Sequence, residues 1–459
     1  MRTNVAAVGP VTQTHEGTPA PRLTPVKALR RAVLTAMLWE DAFYESGSAI
    51  AANVATLVTQ TKAEQVAALA VEARERMYLR HVPLFLTREL ARVKGNGQLV
   101  AETLAQIIQR PDELGEYLAL YWRGRTDAEK ESLSAGSKRG LARALGKFSA
   151  YQLAKYDRDA TVKLRDVLRI THAKPKNATQ AALWKQALTR TLDTPDTWET
   201  QLSAGANKRE TFERLLREGH LGGLAFLRNL RNMIAADVDP ALIRARFDGP
   251  FEKVLPFRFI SAARHAPRFE PEIEAAMLRA CAELPKLAGV TALVIDTSPS
   301  MWMAKVSAKS ELDRFDAAAA LAVLARELCA SVHVWAFNER AYEVPPRRGF
   351  ALRDALTATK GQASMGGLAV AAANDRGYDR VIVLTDGQWH YPGHELRSSM
   401  AEGKAQDVSP APLTERAYMV NVAPYQHGYS TGCWQSIDGW SERILDFIAA
   451  SEAETETLA

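Results

Sequence analysis

The chain has 459 residues, 47% of them apolar, with 58 Lys and Arg against 53 Asp and Glu and a formal net charge of +5. That is an ordinary globular composition, long enough for two or three domains with a core each. No run reaches the roughly 18 to 20 apolar residues of a membrane span, the opening MRTNVAAVGPVTQTHEG has no apolar core of leader length, and Cys281, Cys329 and Cys433 show no CxxC spacing. A cytoplasmic, monomeric protein without a zinc site or disulfide framework is therefore expected.

The charge divides unevenly. Residues 1–285 hold 42 Lys and Arg against 32 Asp and Glu, and residues 286–459 hold 16 against 21. A basic first part joined to an acidic second part points to a polyanionic partner for the first alone.

Residues 1–23, rich in Thr, Pro, Gly and Ala, read as a disordered lead-in. Structure is expected to begin at Thr24 and Pro25, an N-cap followed by proline at the first helical position. Helix then follows helix. Thr61 and Glu64 have capping-box spacing, Pro83 opens PLFLTRELARV, and Pro111 opens PDELGEYLALYW. Almost nothing before residue 286 alternates as a strand would, so residues 24–285 read as an all-α array with short links.

Two helices in this array carry positive stripes. In SAGSKRGLARALGKF, Arg139, Arg143 and Lys147 fall four apart, opposite a buried face of Leu141, Leu145 and Phe148. In TVKLRDVLRITHAKPKN, Arg165, Arg169 and His172 share a face flanked by Lys163 and Lys174, with Leu164, Val167 and Leu168 toward the core. Lys155 and Arg158 lie between the two stripes. Such stripes suit a phosphate backbone, and Tyr151 and Tyr156 offer stacking surfaces. The bland reading of each residue is a solvated helix face or a packed ring.

After residue 286 strands and helices alternate, the doubly wound pattern. GVTALVID, SVHVWAF, VIVLTD and AYMVNV read as strands, LDRFDAAAALAVLARELC as a helix and WSERILDFIAASE as the closing helix; residues 451–459 form an acidic tail. The first strand runs into Asp296, Ser298 and Ser300 at alternate positions. In an extended segment alternate side chains point the same way, so one carboxylate and two hydroxyls would converge on a hard cation. A second strand delivers Asp386. Helix capping accounts for one side chain per helix and leaves this grouping unexplained.

The DxSxS run with a later TD resembles the metal-ion-dependent adhesion site of von Willebrand factor A domains. That resemblance implies a divalent cation, Mg²⁺ with Mn²⁺ or Ca²⁺ as alternatives, and a loop hydroxyl for which Ser364 stands nearest in GQASMGGLAVAAA. Pro299 stands where glycine is frequent in that family. A second resemblance covers most of residues 24–285. KRGLARALGKFSAYQLAKYDRDATVKLRDVLRITHAKPKN, with LRHVPLFLTRELARV before it and FLRNLRNM and LPFRFISAARHAP after it, resembles the TROVE domain of the Ro autoantigen family. A TROVE domain followed by an A domain is that family's own architecture.

The resemblance implies a ring of HEAT-like helical repeats over 24–285, closed by a doubly wound A domain over 286–450. It implies a non-enzymatic scaffold for small noncoding Y-like RNA on the outer surface and for single-stranded 3′ ends of misfolded RNA in the central hole. Its working partner would be an exoribonuclease such as polynucleotide phosphorylase. The family's basic pair falls on Arg165 and Arg169, while the family's Gly-rich segment near the first helices is replaced here by LWEDAFYESGSAI. Two rivals are weighed: a protein–protein adaptor, which would copurify with proteins and little nucleic acid, and a metal-dependent phosphoryl hydrolase using Asp296 and Asp386. The second is disfavoured because no base, second metal or phosphate-cradling loop accompanies the two acids.

Overall fold

The structure, a computed structural model, describes residues 23–35, 46–75, 79–123, 132–157, 160–193, 198–203, 205–251, 254, 256–282, 286–305, 311–389, 411–423, 425, 434–438, 444–445, 448–449 and 452. The lead-in, Arg158, most of LWEDAFYESGSAI, most of the closing helix and the acidic tail beyond Glu452 lie outside those residues. The chain packs into two compact units, one of Thr24–Trp39 with Ser48–Thr211 and one containing Phe212–Ala459.

The first unit is helical, as its sequence pattern requires. Its helices are α1 (Pro25–Thr35), α2 (Gly47–Gln60), α3 (Ala63–Glu75), α4 (His81–Arg92), α5 (Gly97–Ile107), α6 (Asp112–Tyr121), α7 (Ala135–Leu145), α8 (Ala150–Tyr156), α9 (Leu164–Thr171), α10 (Ala178–Thr189) and α11 (Trp198–Ser203), with α12 (Lys208–Arg217) at the boundary. Every residue of α4 from Val82 to Leu90 is buried, which makes it the central helix of this unit's core. Pro83 does not open α4, which starts two residues earlier; a proline in the first turn removes no helical hydrogen bond. The capping box at Thr61 and Glu64 does not form. Thr61 Oγ1 instead donates to the Leu57 carbonyl at 2.8 Å, satisfying an orphan acceptor at the end of α2.

A buried ion pair ties α3 to α6. Arg74 donates to Glu113 at 2.6 Å and to the Ile107 carbonyl at 3.0 Å, while Glu113 also accepts the Gln109 and Arg110 amides. Burial raises the Glu113 pKa and lowers that of Arg74, so desolvation outweighs attraction on both sides.

α5 and α7 pass unusually close because small residues line their crossing. A methyl on Gly136 would lie 2.4 Å from the Gly97 carbonyl oxygen, and one on Gly140 would lie 2.7 Å from Leu104 Cβ and 3.0 Å from the Ala101 carbonyl oxygen. Gly136→Ala is expected to cost about 1–3 kcal/mol by overpacking against backbone, read as a lower urea midpoint. An unchanged midpoint would mean that the two helices separate without penalty.

The second unit combines α13 (Gly223–Ala235), α14 (Pro240–Phe247), α15 (Pro256–His265) and α16 (Glu270–Ala282) with the α/β part of the chain. Among the described residues six strands form one sheet: β1 (Leu287–Asp296), β2 (Cys329–Phe337), β3 (Ala341–Val344), β4 (Arg380–Thr385), β5 (Ala417–Asn421) and β6 (Gln435–Asp438). Their order is β3-β2-β1-β4-β5-β6, parallel except for the β2–β3 pair. The edge strands β3 and β6 were not expected from the sequence. Each has four residues, too few for a periodic signal. The helices of this part are α17 (Pro299–Trp302), α18 (Arg314–Leu328), α19 (Gly349–Thr357) and α20 (Gly366–Arg376).

Helices read from sequence as part of the all-α stretch thus pack with helices of the α/β part. α15 lies against α18, and Arg264 donates to Asp316 at 2.6 Å and to the Glu311 carbonyl at 3.2 Å. Glu311 also faces Arg231 and His265. Glu274 of α16 accepts the Phe350 amide at 2.6 Å, placing a carboxylate at the N-terminus of α19.

Candidate metal centre and nucleic-acid interface

β1 and β4 are neighbours at the point where the strand order reverses: the chain leaves β1 toward β2 on one side and β4 pairs on the other. In open α/β sheets ligands bind beyond the carboxyl ends of the strands at this switch point. Asp296 ends β1, Asp386 follows β4, and both are fully buried. Ser298, Ser300 and Ser364 are buried with them.

Strand alternation does not aim the first three side chains, as the sequence pattern suggested. The chain leaves the sheet after Asp296, Ser298 takes the N-cap position of α17 in an extended conformation, and Ser300 sits on the helical turn itself. Pro299 occupies the first helical position, where its missing N–H costs nothing. Ser298 makes no capping hydrogen bond. Its hydroxyl lies 3.3 Å from that of Ser300, and its amide donates to Asp296 Oδ1 at 2.9 Å.

Thr297 fixes the loop that carries Ser364. Its hydroxyl reaches the Phe337 and Thr359 carbonyls, the Gly361 amide donates to its carbonyl, and the Met365 amide donates to the Asn338 carbonyl. Ser364 Oγ then donates to Asp296 Oδ2 at 3.2 Å. Thr385, the threonine of the TD pair, donates to the same oxygen at 2.6 Å. On the far side Asp386 Oδ1 accepts the Gln388 amide at 3.1 Å.

Burial first, and then repulsion from Asp386, push the Asp296 carboxyl up to about 7, against opposing hydrogen bonds from Ser298 and Thr385. Two buried acids with hydroxyls around them, and neither nitrogen nor thiolate, form a donor set suited to a hard divalent cation. Among the described residues no group of three or more His, Cys, Asp and Glu side chains is placed to hold a metal, so the hydroxyls are essential to this reading.

The basic stripes lie on neighbouring helices of the first unit, since α9 packs against α7. The expected core faces form: Leu141, Leu145, Phe148, Leu164, Val167 and Leu168 are all buried. Arg139 and Arg143 are exposed on α7 and Arg169 on α9, with Lys174 exposed beyond it. Arg165 is half-buried, and Asp166 is 3.9 Å from it, beyond hydrogen-bond reach. Lys163 stands at the N-cap of α9, its amide donating to Asp166. His172 ends α9 in the left-handed region, φ 49°, a conformation uncommon for a residue other than glycine.

Lys147 has another task. Its ammonium donates to the Ala105 carbonyl and, at 2.5 Å, to that of Ile108, closing the C-terminal end of α5. Partial desolvation there lowers its pKa. A further cation that the stripes did not reveal is Arg190, which ends α10 at φ 58° and acts with Arg165 and Lys163 on Asp157. The two tyrosines also separate: the Arg110 guanidinium lies 4.7 Å from the Tyr156 ring centre, whereas Tyr151 is 54% exposed.

Residues 185–243 match the family model described as the TROVE domain. The crystal structure of the Deinococcus radiodurans Ro (RSR) protein superposes with a TM-score of 0.57 at 18% identity, over 93% of this chain and 99% of that one. The chain has the fold of a Ro protein. No curated protein matches the chain in sequence. The TROVE match spans the end of α10 through the start of α14 and includes FLRNLRNM. The Ro fold accounts for helical repeats and a mostly parallel sheet in one chain.

Proposed function

We propose that this chain is an RNA-binding scaffold of the Ro type and not an enzyme. It would take small noncoding Y-like RNA on its basic helices and single-stranded 3′ ends of misfolded RNA, for processing by a nuclease that the RNA brings with it. The observation that carries the reading is the exposed basic surface of α7 and α9, made by Arg139, Arg143, Arg169 and Lys174 with Arg165 and Lys163 beside them. Side chains of this kind hold phosphates and leave selectivity to shape and unpaired ends. Tyr151 supplies an open ring on which an unpaired base can stack. The second unit would hold Mg²⁺ or a similar cation through Asp296, Ser298, Ser300, Ser364 and Asp386.

The test is a salt titration of binding to a structured RNA with a single-stranded 3′ tail. Replacing both Arg165 and Arg169 with alanine weakens binding and flattens log K against log salt by about 0.7 to 0.9 for each phosphate no longer neutralised. Unchanged affinity and slope would remove those two residues from the interface. Sequencing of RNA that copurifies with the protein identifies the ligand, and a preparation carrying protein partners but no RNA would favour an adaptor.

A further inference from the structure

The hydroxyl of Thr385 has three neighbours. It lies 2.6 Å from Asp296 Oδ2, 3.1 Å from the Trp389 indole nitrogen and 3.1 Å from the Gly387 amide nitrogen. A threonine hydroxyl has one proton to give and two lone pairs to receive. An indole N–H and a backbone N–H can only donate, so both lone pairs are taken and the single proton has one direction left, toward Asp296. The surroundings leave little slack: Thr385 is fully buried, Trp389 is nearly so, and a side chain at Gly366 would run into the Trp389 ring. Gly387, at φ 73°, makes the turn that returns its amide to Thr385.

We propose that Thr385 is the positioning residue of the cation site, a donor locked by Trp389 and Gly387 that orients the Asp296 carboxylate. The inference rests on the reading that Asp296 and Asp386 hold a divalent cation. It divides the hydroxyls into two kinds. Those of Ser298, Ser300 and Ser364 can rotate to offer an oxygen lone pair to a cation. Thr385 has none to offer, so it acts through Asp296 and is not a ligand.

Calorimetric titration of the full-length protein with Mg²⁺, repeated with Mn²⁺ by its paramagnetic signal, tests this. Outer-shell partners of metal ligands typically contribute about 10- to 100-fold in affinity, and Thr385→Val is expected to lose that much. Thr385→Ser, which keeps the hydroxyl, binds close to wild type. Trp389→Phe frees one lone pair, lets the proton swing away and gives a smaller loss. Melting in EDTA checks that each variant is folded, and the serine and phenylalanine variants decide the matter if the valine variant is not. Equal affinity of Thr385→Val and wild type, with Asp386→Asn no longer binding, overturns the positioning role and leaves the metal site standing. Equal losses in the valine and serine variants would assign the effect to packing and also overturn it. A wild-type protein that binds neither ion removes the site and this inference together.

Discussion

Glu452→Ala should lower the stability of the α/β unit by about 3–5 kcal/mol, the usual cost of leaving one partner of a buried ion pair alone. Arg380 is 1% exposed at the start of β4. Its Nε donates to Glu452 at 2.5 Å, a second guanidinium nitrogen pairs with the other carboxylate oxygen, and the third reaches the Ala288 carbonyl and the Thr291 hydroxyl. Burial pulls the Arg380 pKa down, and the hydrogen bond and charge of Glu452 more than offset it, so the guanidinium is held above its ordinary value. Tyr418 donates to the same carboxylate at 3.1 Å, and burial followed by that negative charge raises its own pKa. Alanine at 452 would strand the guanidinium, and the loss should appear in urea denaturation followed by tryptophan fluorescence. Replacing both partners by apolar residues of similar volume should restore most of it, since no buried charge then remains. A single variant within about 1 kcal/mol of wild type would mean that water reaches Arg380.

The second large effect is on cation binding. Asp386→Asn should abolish stabilisation by Mg²⁺, which for a site present only in the native state is about 2.7 kcal/mol at a hundred times Kd. The metal-free variant should be at least as stable as wild type near neutral pH, because the substitution removes the repulsion that helps raise Asp296. The sign in pH follows from linkage. Between the usual carboxylate range, about 4, and about 7, the native protein holds a proton on Asp296 that the unfolded chain has released. Metal-free stability therefore falls as pH rises through that window. A cation displaces the proton, so stabilisation by Mg²⁺ grows across the same window, and Asp386→Asn flattens the metal-free slope. Melting curves in EDTA and in excess Mg²⁺ at several pH values measure all of this. A variant that keeps the Mg²⁺ shift would exclude Asp386 from the site.

What could be read from the sequence was whatever leaves a periodic or terminal mark. A buried strand ending in an acid is such a mark, and Asp296 and Asp386 stand at the ends of β1 and β4 as their apolar runs implied. The amphipathic spacing of α7 and α9 likewise gave the correct buried faces. Thr385 is the threonine of the TD pair, but the pattern gives its hydroxyl no task, because a threonine in a strand looks like any β-branched filler until that hydroxyl is seen beside Asp296. Lys147 fitted its stripe by spacing alone, and only the close crossing of α5 and α7 brings it to the carbonyl end of α5. Arg190 belongs to no stripe, since a left-handed helix end turns it toward Asp157. The change of pattern near residue 286 marks where strands begin. It does not tell which helices pack on them, and the meeting of α15 with α18 rests on Arg264 reaching an acid distant in sequence.

The pairing of β1 with β4 bears on how the protein is made. During synthesis the chain delivers Asp296, then the whole of β2 and β3, and only afterwards the strand that carries Asp386. Until that late strand slots in beside the early one, a growing polypeptide has only one of the two acids proposed to hold the ion. On the proposed reading, uptake of the ion would be a timestamp for the pairing of β4 with β1, with β5 and β6 still to follow, readable on stalled chains of increasing length.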